Sequence, residues 1–416
     1  MTTRHLTRAI ALGIATVIFA AVWFHLSVGP HGVSYEFSAA PEKHVSTGTP
    51  GKAVELLDAH ALNEVGLDAL AVGRVGSGER DFALDLFQMK SGKVTRLLGP
   101  ERWGEVVYEA PKALVPASDG SAAALITGGV SPHDPEPVPG PHNSLWLIDT
   151  QAGTLTGLGF QTRRICAAAW DSKSSTLAAL AIGKTVWLEI YNKHTPKQHY
   201  DIALPGAGAT TLTFDPEGHK VFVGLSEPTR RLVQVDLKTR AVQTIAPLSG
   251  VATSMTVSAD RKELIIGSDL EIVSFTLPLR AHRTLLLTIP DPEGETLARE
   301  QWQSPISQDP RSNTLFYLVH SGTAEKPPSP QLSLWRIGLS NRKSSLLTVI
   351  DDGSPGPPYE TVSTIQLVRR RDKVILRRLY FENYPDVSSS EIVQCDRKGC
   401  QIVFTSPAVD IAVWQH

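Results

Sequence analysis

Little in the sequence marks a chemistry. Three cysteines and three methionines are spread through 416 residues, too few cysteines for a disulfide-built mini-domain or a cysteine-rich zinc module. A formal net charge of −2 supplies no global positive field to neutralise a phosphate backbone, so nucleic acid is not an expected partner. No Gly-x-Ser-x-Gly stretch occurs, and with it goes the strand-to-helix elbow that presents a hydrolase serine. Gly183-Lys184-Thr185 lacks the glycine a phosphate loop needs five residues before its Gly-Lys pair, where Ala178 stands. Gly73, Gly76 and Gly78 come in the wrong order for a dinucleotide fingerprint. What remains is ordinary globular material: 42% hydrophobic and 20% charged residues, enough to bury a core.

One long apolar run is present. From Ala9 to Val28 there is no Asp, Glu, Lys or Arg, a length that spans a hydrocarbon core as a helix. Arg4 and Arg8 precede it, so the positive-inside bias puts residues 1–8 in the cytoplasm and the remainder outside. Two readings stay open: an uncleaved anchor over 9–28, or a cleaved signal peptide. Ser38-Ala39-Ala40 is a small-residue stretch for cleavage, but it lies well past the run and before Pro41. A Gly-, Pro- and Ser-rich linker then follows, assigned to 29–66.

Beyond it one pattern recurs: an alternating apolar strand, a short polar turn and a second strand. The clearest copies are Leu84–Leu98, Leu145–Leu158 and Leu232–Ile245; weaker ones cover Val186–Ile202, Leu270–Leu287, Leu332–Val349 and Glu391–Phe404. Between them lies a second hairpin with an Asp-rich turn, as in Pro116–Ile126, Leu212–Val223 and Met255–Ile266. Asp, Pro and Gly fit there because they tolerate the dihedrals of a tight reversal. Two hairpins per repeat make four strands, and four-stranded units repeated around an axis make a propeller.

The Ser-Asp-Gly turn at 118–120, Asp-Pro-Glu-Gly at 215–218 and Ser-Ala-Asp-Arg-Lys at 258–262 resemble those of bacterial TolB-like and YVTN-type β-propellers, relatives in architecture of WD-repeat proteins. No Trp-Asp dipeptide closes a repeat here, so the resemblance is to the superfamily. It implies an all-β chain, a propeller of about seven blades over 67–416. The last run, Val409–Trp414, has no hairpin partner after it and is expected to complete the first blade, leaving no open join. Such propellers serve as scaffolds, ligand binders and enzymes alike.

In that architecture the turns after the first and third strands of every blade share one face. They carry Lys173, Lys193, Lys220, Arg261 and Lys262 and, in the seventh blade, Arg369, Arg370, Arg371, Lys373, Arg397 and Lys398; this face is expected to be basic and to lie toward anionic lipid. The opposite face is expected to be acidic, with long loops in neighbouring blades. His133, Asp134, Glu136 and His142, Glu325 and Lys326, and Glu382, Tyr384 and Asp386 are the candidate partner-binding residues there.

His133, Asp134, Glu136 and His142 have metal-ligand chemistry, but prolines at 132, 135, 137, 139 and 141 stretch their loop, so no metal is expected. No cofactor is expected either. His194 and His199 flank a turn and are expected to face solvent, while Trp146, Trp187 and Trp335 read as packing. Cys395 and Cys400 flank a turn tetrapeptide and are placed to form a disulfide, the alternative being two unpaired thiols. The expected role is a membrane-anchored extracytoplasmic scaffold or sensor of the bacterial inner membrane, binding an envelope protein or peptide. The alternative is a periplasmic propeller enzyme, lactonase-like or a dehydrogenase subunit, with its groups scattered over several blades around the channel.

Overall fold

The computed structural model of the protein describes residues 53–63, 67–74, 81–88, 91–107, 111–128, 145–158, 163–183, 185–268, 271–277, 283–288, 306–308, 313–321, 331–351, 360–367, 374–383, 386–396, 398–406 and 408–415. Among them the strands form seven antiparallel sheets; five are sequential four-strand meanders, sheet 1 opens on the last strand of the chain, and sheet 2 gains a fifth strand. Sheet 1 runs Ala408–Gln415, Leu67–Arg74, Phe82–Gln88, Lys93–Leu98; sheet 2 runs Pro111–Pro116, Ala122–Thr127, Leu145–Asp149, Thr154–Leu158. Sheet 3 comprises Arg164–Trp170, Thr176–Ile182, Val186–Asn192 and Thr195–Leu204; sheet 4, Gly208–Phe214, Lys220–Glu227, Arg231–Asp236 and Val242–Pro247. Sheet 5 comprises Ala252–Val257, Glu263–Ser268, Glu271–Thr276 and Arg283–Thr288; sheet 6, Ile306–Gln308, Thr314–Ser321, Gln331–Gly338 and Lys343–Asp351. Sheet 7 comprises Glu360–Leu367, Val374–Asn383, Asp386–Asp396 and Gly399–Ser406.

The second strand of a sheet shows why the sheets stack as they do. Side chains alternate across a strand, and in Ala122–Thr127 every residue is buried. Ala123 and Leu125 enter the core shared with sheet 1, while Ala122, Ala124 and Ile126 enter the core shared with sheet 3. Leu177 and Ala179 likewise face sheet 2, and Ala178 and Leu180 face sheet 4. A strand buried on both faces reads as a continuous apolar run rather than a clean alternation. The same layering joins sheets 4 and 5 through Phe222 and Phe275, sheets 5 and 6 through Ile265 and Leu315, and sheets 6 and 7 through Leu334 and Val393. Each fully buried Leu, Ile or Phe contributes about 1.5–3 kcal/mol, so the core is a series of apolar layers between sheets.

The first strands of neighbouring sheets contact one another in sequence from sheet 1 to sheet 7, and Ala408–Gln415 contacts sheet 7 as well. That last strand pairs antiparallel with Leu67–Arg74, Leu67 opposite Gln415 and Val72 opposite Asp410. Chain ends far apart in sequence thereby share one sheet.

Two elements go beyond the repeat. Residues 53–63, within the segment read as linker, are structured: Val54–Glu55 pairs with Thr154 and Leu155 as an outer strand of sheet 2. The Leu56 N–H donates to the Gly153 carbonyl and the Leu57 N–H to the Leu97 carbonyl, both at 2.8 Å. Leu62 is buried with Leu97 and Trp103, so this stretch clasps sheets 1 and 2. Helix α1, Pro100–Val106, joins the same two sheets, with Pro at its first turn where a missing N–H costs nothing. Among the described residues no helix is long and apolar enough to cross a membrane; the apolar run 9–28 lies outside them.

Candidate functional site: the turn face of sheets 2 to 5

In a four-strand meander the first and third turns share an end of the sheet. At that end each first turn is held by a short polar side chain that accepts orphan backbone donors. Asp171 takes the N–H groups of Ser175 at 2.7 Å and Thr176 at 3.0 Å. Asp215 takes those of His219 at 2.7 Å and Lys220 at 2.8 Å. Asp119 accepts from the N–H and hydroxyl of Ser121, and in sheet 5 Ser258 and Asp260 divide the task. Third turns follow suit with Asp149, Asn192, Asp236 and Asn341.

Such bonds hold three turn carboxylates, Asp119, Asp236 and Asp260, at low pKa. Burial disfavours the charge on Asp119, but bonds from Ser121 and Ser174 outweigh it and hold its pKa low. The Ser258 hydroxyl lowers Asp260, and bonds from Thr239 lower Asp236. Neighbouring turns are also tied together. Ser118 and Ser174 hydroxyls meet at 3.1 Å, and the Ser172 hydroxyl donates to the Pro216 carbonyl at 3.1 Å. Gly218 sits at φ +75°, a left-handed conformation that favours glycine.

Between the first turns of sheets 3, 4 and 5 lies a depression of about 400 Å³ lined by Ser172, Lys173, Pro216, Glu217, His219 and Arg261. It offers hydroxyl, ammonium, imidazole, carboxylate and guanidinium groups on a rigid rim, a set suited to a polar, charged segment of another molecule. Glu217 and Glu263 share this end with the cations, and Glu263 pairs with Arg342 across sheets 5 and 6. Around the depression the described residues of this end carry both signs of charge.

A second polar cluster lies buried in the layer between sheets 2 and 3. Arg163, just before the first strand of sheet 3, reaches Asp201 at 2.7 Å and Glu189 at 3.4 Å, with its guanidinium 4.0 Å from the centre of the Trp187 ring. Glu189 is fully buried and opposite Asp201 in register. The Tyr191 hydroxyl donates to Glu189 at 2.5 Å. Burial pushes the Glu189 pKa up, against the opposing effects of Tyr191 and Arg163; burial also raises Tyr191. His199, expected to face solvent, instead stacks on Tyr191 with ring centroids 5.1 Å apart, because it lies opposite Tyr191 in register and so on the same face of the sheet. His194 is exposed as expected, whereas Lys193, placed among the surface cations, is buried. Trp146 is buried in the layer between sheets 1 and 2, and Trp187 packs against the layer between sheets 2 and 3.

Of the residues singled out from the sequence, His133, Asp134, Glu136, His142, Glu325, Lys326 and Tyr384 on the loop face, and Arg369, Arg370, Arg371, Lys373 and Arg397 on the turn face, lie outside the described residues. Glu382 and Asp386 occupy the facing ends of two paired strands of sheet 7, and Lys398 is exposed. Cys395 and Cys400 are opposite in register and disulfide-bonded. Cys166 is half-buried, its thiol donating to the Leu180 and Ala209 carbonyls, and burial pushes its pKa up to about 11. Among the described residues no three His, Cys, Asp or Glu side chains gather as a metal site would require.

Solved structures share this arrangement. A functionally unknown protein from Desulfotomaculum acetoxidans DSM 771 matches over 84% of this chain and 99% of its own, with a TM-score of 0.55 at 12% identity. A putative 6-phosphogluconolactonase from Bacteroides fragilis NCTC 9343 matches over 84% and 98%, with a TM-score of 0.54 at 10% identity. The fold is a β-propeller. TolB from Acinetobacter baumannii matches over 82% of this chain and 80% of its own, with a TM-score of 0.45 at 13% identity. No family model matches the sequence, and no curated protein does. At such identities the likeness carries the propeller fold and leaves the activity to be argued from the residues.

Proposed function

We propose that the chain is a seven-bladed β-propeller tethered to the bacterial inner membrane by 9–28 and displayed outside the cytoplasm, where it binds an envelope protein or peptide as a scaffold or sensor. The observation that carries this reading is the make-up of the seven first strands, which wall the centre of the ring. They are built mainly of Ala, Thr, Ser, Val, Leu and Ile, with Cys166, Trp170, Phe214, Met255 and Trp414 among them, and their only charged residues are Lys112, Arg164, Glu360 and Asp410. Lys112, Arg164 and Glu360 stand at or next to the start of their strands, and no histidine occurs in any of them. General acid–base or metal chemistry needs titratable groups that converge. Polar, charged groups are supplied instead by turns and loops, where propellers meet partners.

In this reading the basic turns at 369–373 and 397–398 face anionic lipid, and the loops around 131–142, 322–330 and 382–386 meet the partner. The rival, a lactonase-like enzyme, is motivated by the fold of the Bacteroides protein alone. The two separate on purified full-length protein and native membranes. A photo-crosslinker at position 136 on the loop face is expected to capture one envelope protein reproducibly, with no lactone turnover. A stoichiometric divalent ion accompanied by lactone hydrolysis would overturn the scaffold reading.

A further inference from the structure

The first turns of sheets 2 to 5 share one backbone template. The N–H of the fourth residue donates to the carbonyl of the first, from Gly120 to Ala117, Ser174 to Asp171, Gly218 to Asp215 and Arg261 to Ser258. That fourth residue is left-handed in all four, at φ +72°, +56°, +75° and +60° respectively, a conformation that favours glycine. Elsewhere, a residue other than glycine at the left-handed position of a hairpin turn has a task for its side chain. Ser174 meets the Ser118 hydroxyl and accepts from the Asp119 N–H, Arg240 lies over the Tyr200 ring, and Arg342 pairs with Glu263. Arg261 differs: it is exposed, and among the described residues nothing holds its guanidinium. What it lines is the depression between sheets 3, 4 and 5. A bulky residue kept against its backbone preference points to a use for its side chain.

The rest of the rim is poised in the same way. Lys173, Glu217 and His219 are exposed, and among the described residues none of these side chains pairs with another or with Arg261. Charges of both signs therefore surround about 400 Å³, a size suited to a small ligand, without neutralising one another. Lys173, His219 and Arg261 are donors, one from each of three turns. Glu217 is an acceptor, and Ser172 joins it, because its hydroxyl proton is already given to the Pro216 carbonyl. We propose that the depression binds an aminoalkyl phosphate, its phosphate held by Lys173, His219 and Arg261 and its ammonium by Glu217 and the Ser172 oxygen. A tetrahedral phosphate suits donors converging from three turns, where a planar carboxylate presents its two oxygens in one plane, and arginine and lysine form strong charge-assisted bonds with it. The ester can be a water-soluble compound or the headgroup of phosphatidylethanolamine, since both present the same two groups. The site requires neither the tether nor the envelope partner.

Isothermal titration of the full chain in nonionic detergent, with O-phosphoethanolamine and separately with inorganic phosphate, tests it. Saturable one-to-one binding of O-phosphoethanolamine is expected, with inorganic phosphate weaker by about tenfold. Arg261→Gly is expected to weaken O-phosphoethanolamine by about tenfold or more, while the thermal midpoint is unchanged or raised, because glycine fits the turn. Lys173→Gln should weaken both ligands. Glu217→Gln should weaken O-phosphoethanolamine by about tenfold and leave inorganic phosphate no weaker. Mixed micelles holding phosphatidylethanolamine separate the two sources: displacement of the bound ester assigns the lipid headgroup, and its retention assigns the water-soluble compound. Absence of saturable binding would overturn the site. So would binding indifferent to position 261, a loss at Arg261→Gly accompanied by a lower thermal midpoint, or a Glu217→Gln effect equal for the two ligands.

Discussion

The carboxylates of the turn face and the carboxylate buried between sheets 2 and 3 are the same chemical group put to opposite uses. Asp119 is exposed, Asp236 half-buried and Asp171 and Asp215 buried, and all four accept backbone N–H groups a few residues away. Their charge is satisfied locally, and Asp119 and Asp236 are held at low pKa. Glu189 is fully buried, depends on Arg163 and Tyr191 for partners, and is pushed to higher pKa. The turns therefore stabilise the fold by repetition of a cheap local device, whereas the cluster is a single long-range arrangement whose parts stand or fall together.

The largest effect that would sharpen this contrast comes from Arg163→Ala. It leaves Glu189 and Asp201 facing each other in the layer without a cation, and removing one partner of a buried pair costs about 3–5 kcal/mol. Urea unfolding followed by tryptophan fluorescence reads the loss directly. A change under about 1 kcal/mol would mean that water already solvates the cluster and that the two regions do not differ.

A turn substitution should cost less. Asp215→Ala strips the acceptor from the His219 and Lys220 N–H groups, an expected loss of about 1–3 kcal/mol. Because sheet 4 keeps its other turns, the unfolding slope should not change. A loss as large as that of Arg163→Ala would contradict the local character of the turns.

The smallest effect is in the pH dependence, where the signs differ. Glu189 binds its proton more tightly in the folded chain than in the unfolded one, so its contribution is greatest below the ordinary glutamate range and falls as pH rises through the raised value. Asp119, Asp236 and Asp260 bind theirs less tightly when folded, so their contribution is present above the ordinary aspartate range and is lost as pH falls through the lowered values. Glu189→Gln should therefore flatten the decline on the side of rising pH and leave the acid limb in place. An unchanged profile above the glutamate range would show that Glu189 does not titrate there.

The same contrast decides what was legible in the sequence. Turn chemistry is local: Asp-Pro-Glu-Gly at 215–218 states its hairpin within four residues, and the pairing of Leu212–Phe214 with Val221–Val223 follows from it. Repeating such signals announced the sheets, and an unpaired run at 409–414 announced the strand that returns to sheet 1. The buried cluster joins residues 26 and 38 positions apart. Its one local trace is a glutamate inside the apolar run Val186–Tyr191, set in alternation with Trp187 and Tyr191. Residues 53–63 were read as linker because a two-residue strand and a single turn leave no periodicity to detect. Pro100 before Glu101 carried a helix-start signal, but a seven-residue helix between strands is short for a pattern to establish itself.

Closure of the ring by the C-terminal strand is the claim on which the rest depends, since it makes the layers between sheets mutually supporting. Ending the chain at Ser406 removes Ala408–Gln415 and exposes the free edge of Leu67–Arg74. Amide hydrogen exchange on the shortened chain should then show protection lost across sheet 1 and at its contacts with sheets 2 and 7, with a lower and broader thermal transition. Undiminished protection at Leu70 and Val72, with the midpoint of the full chain retained, would contradict a ring closed by its last strand.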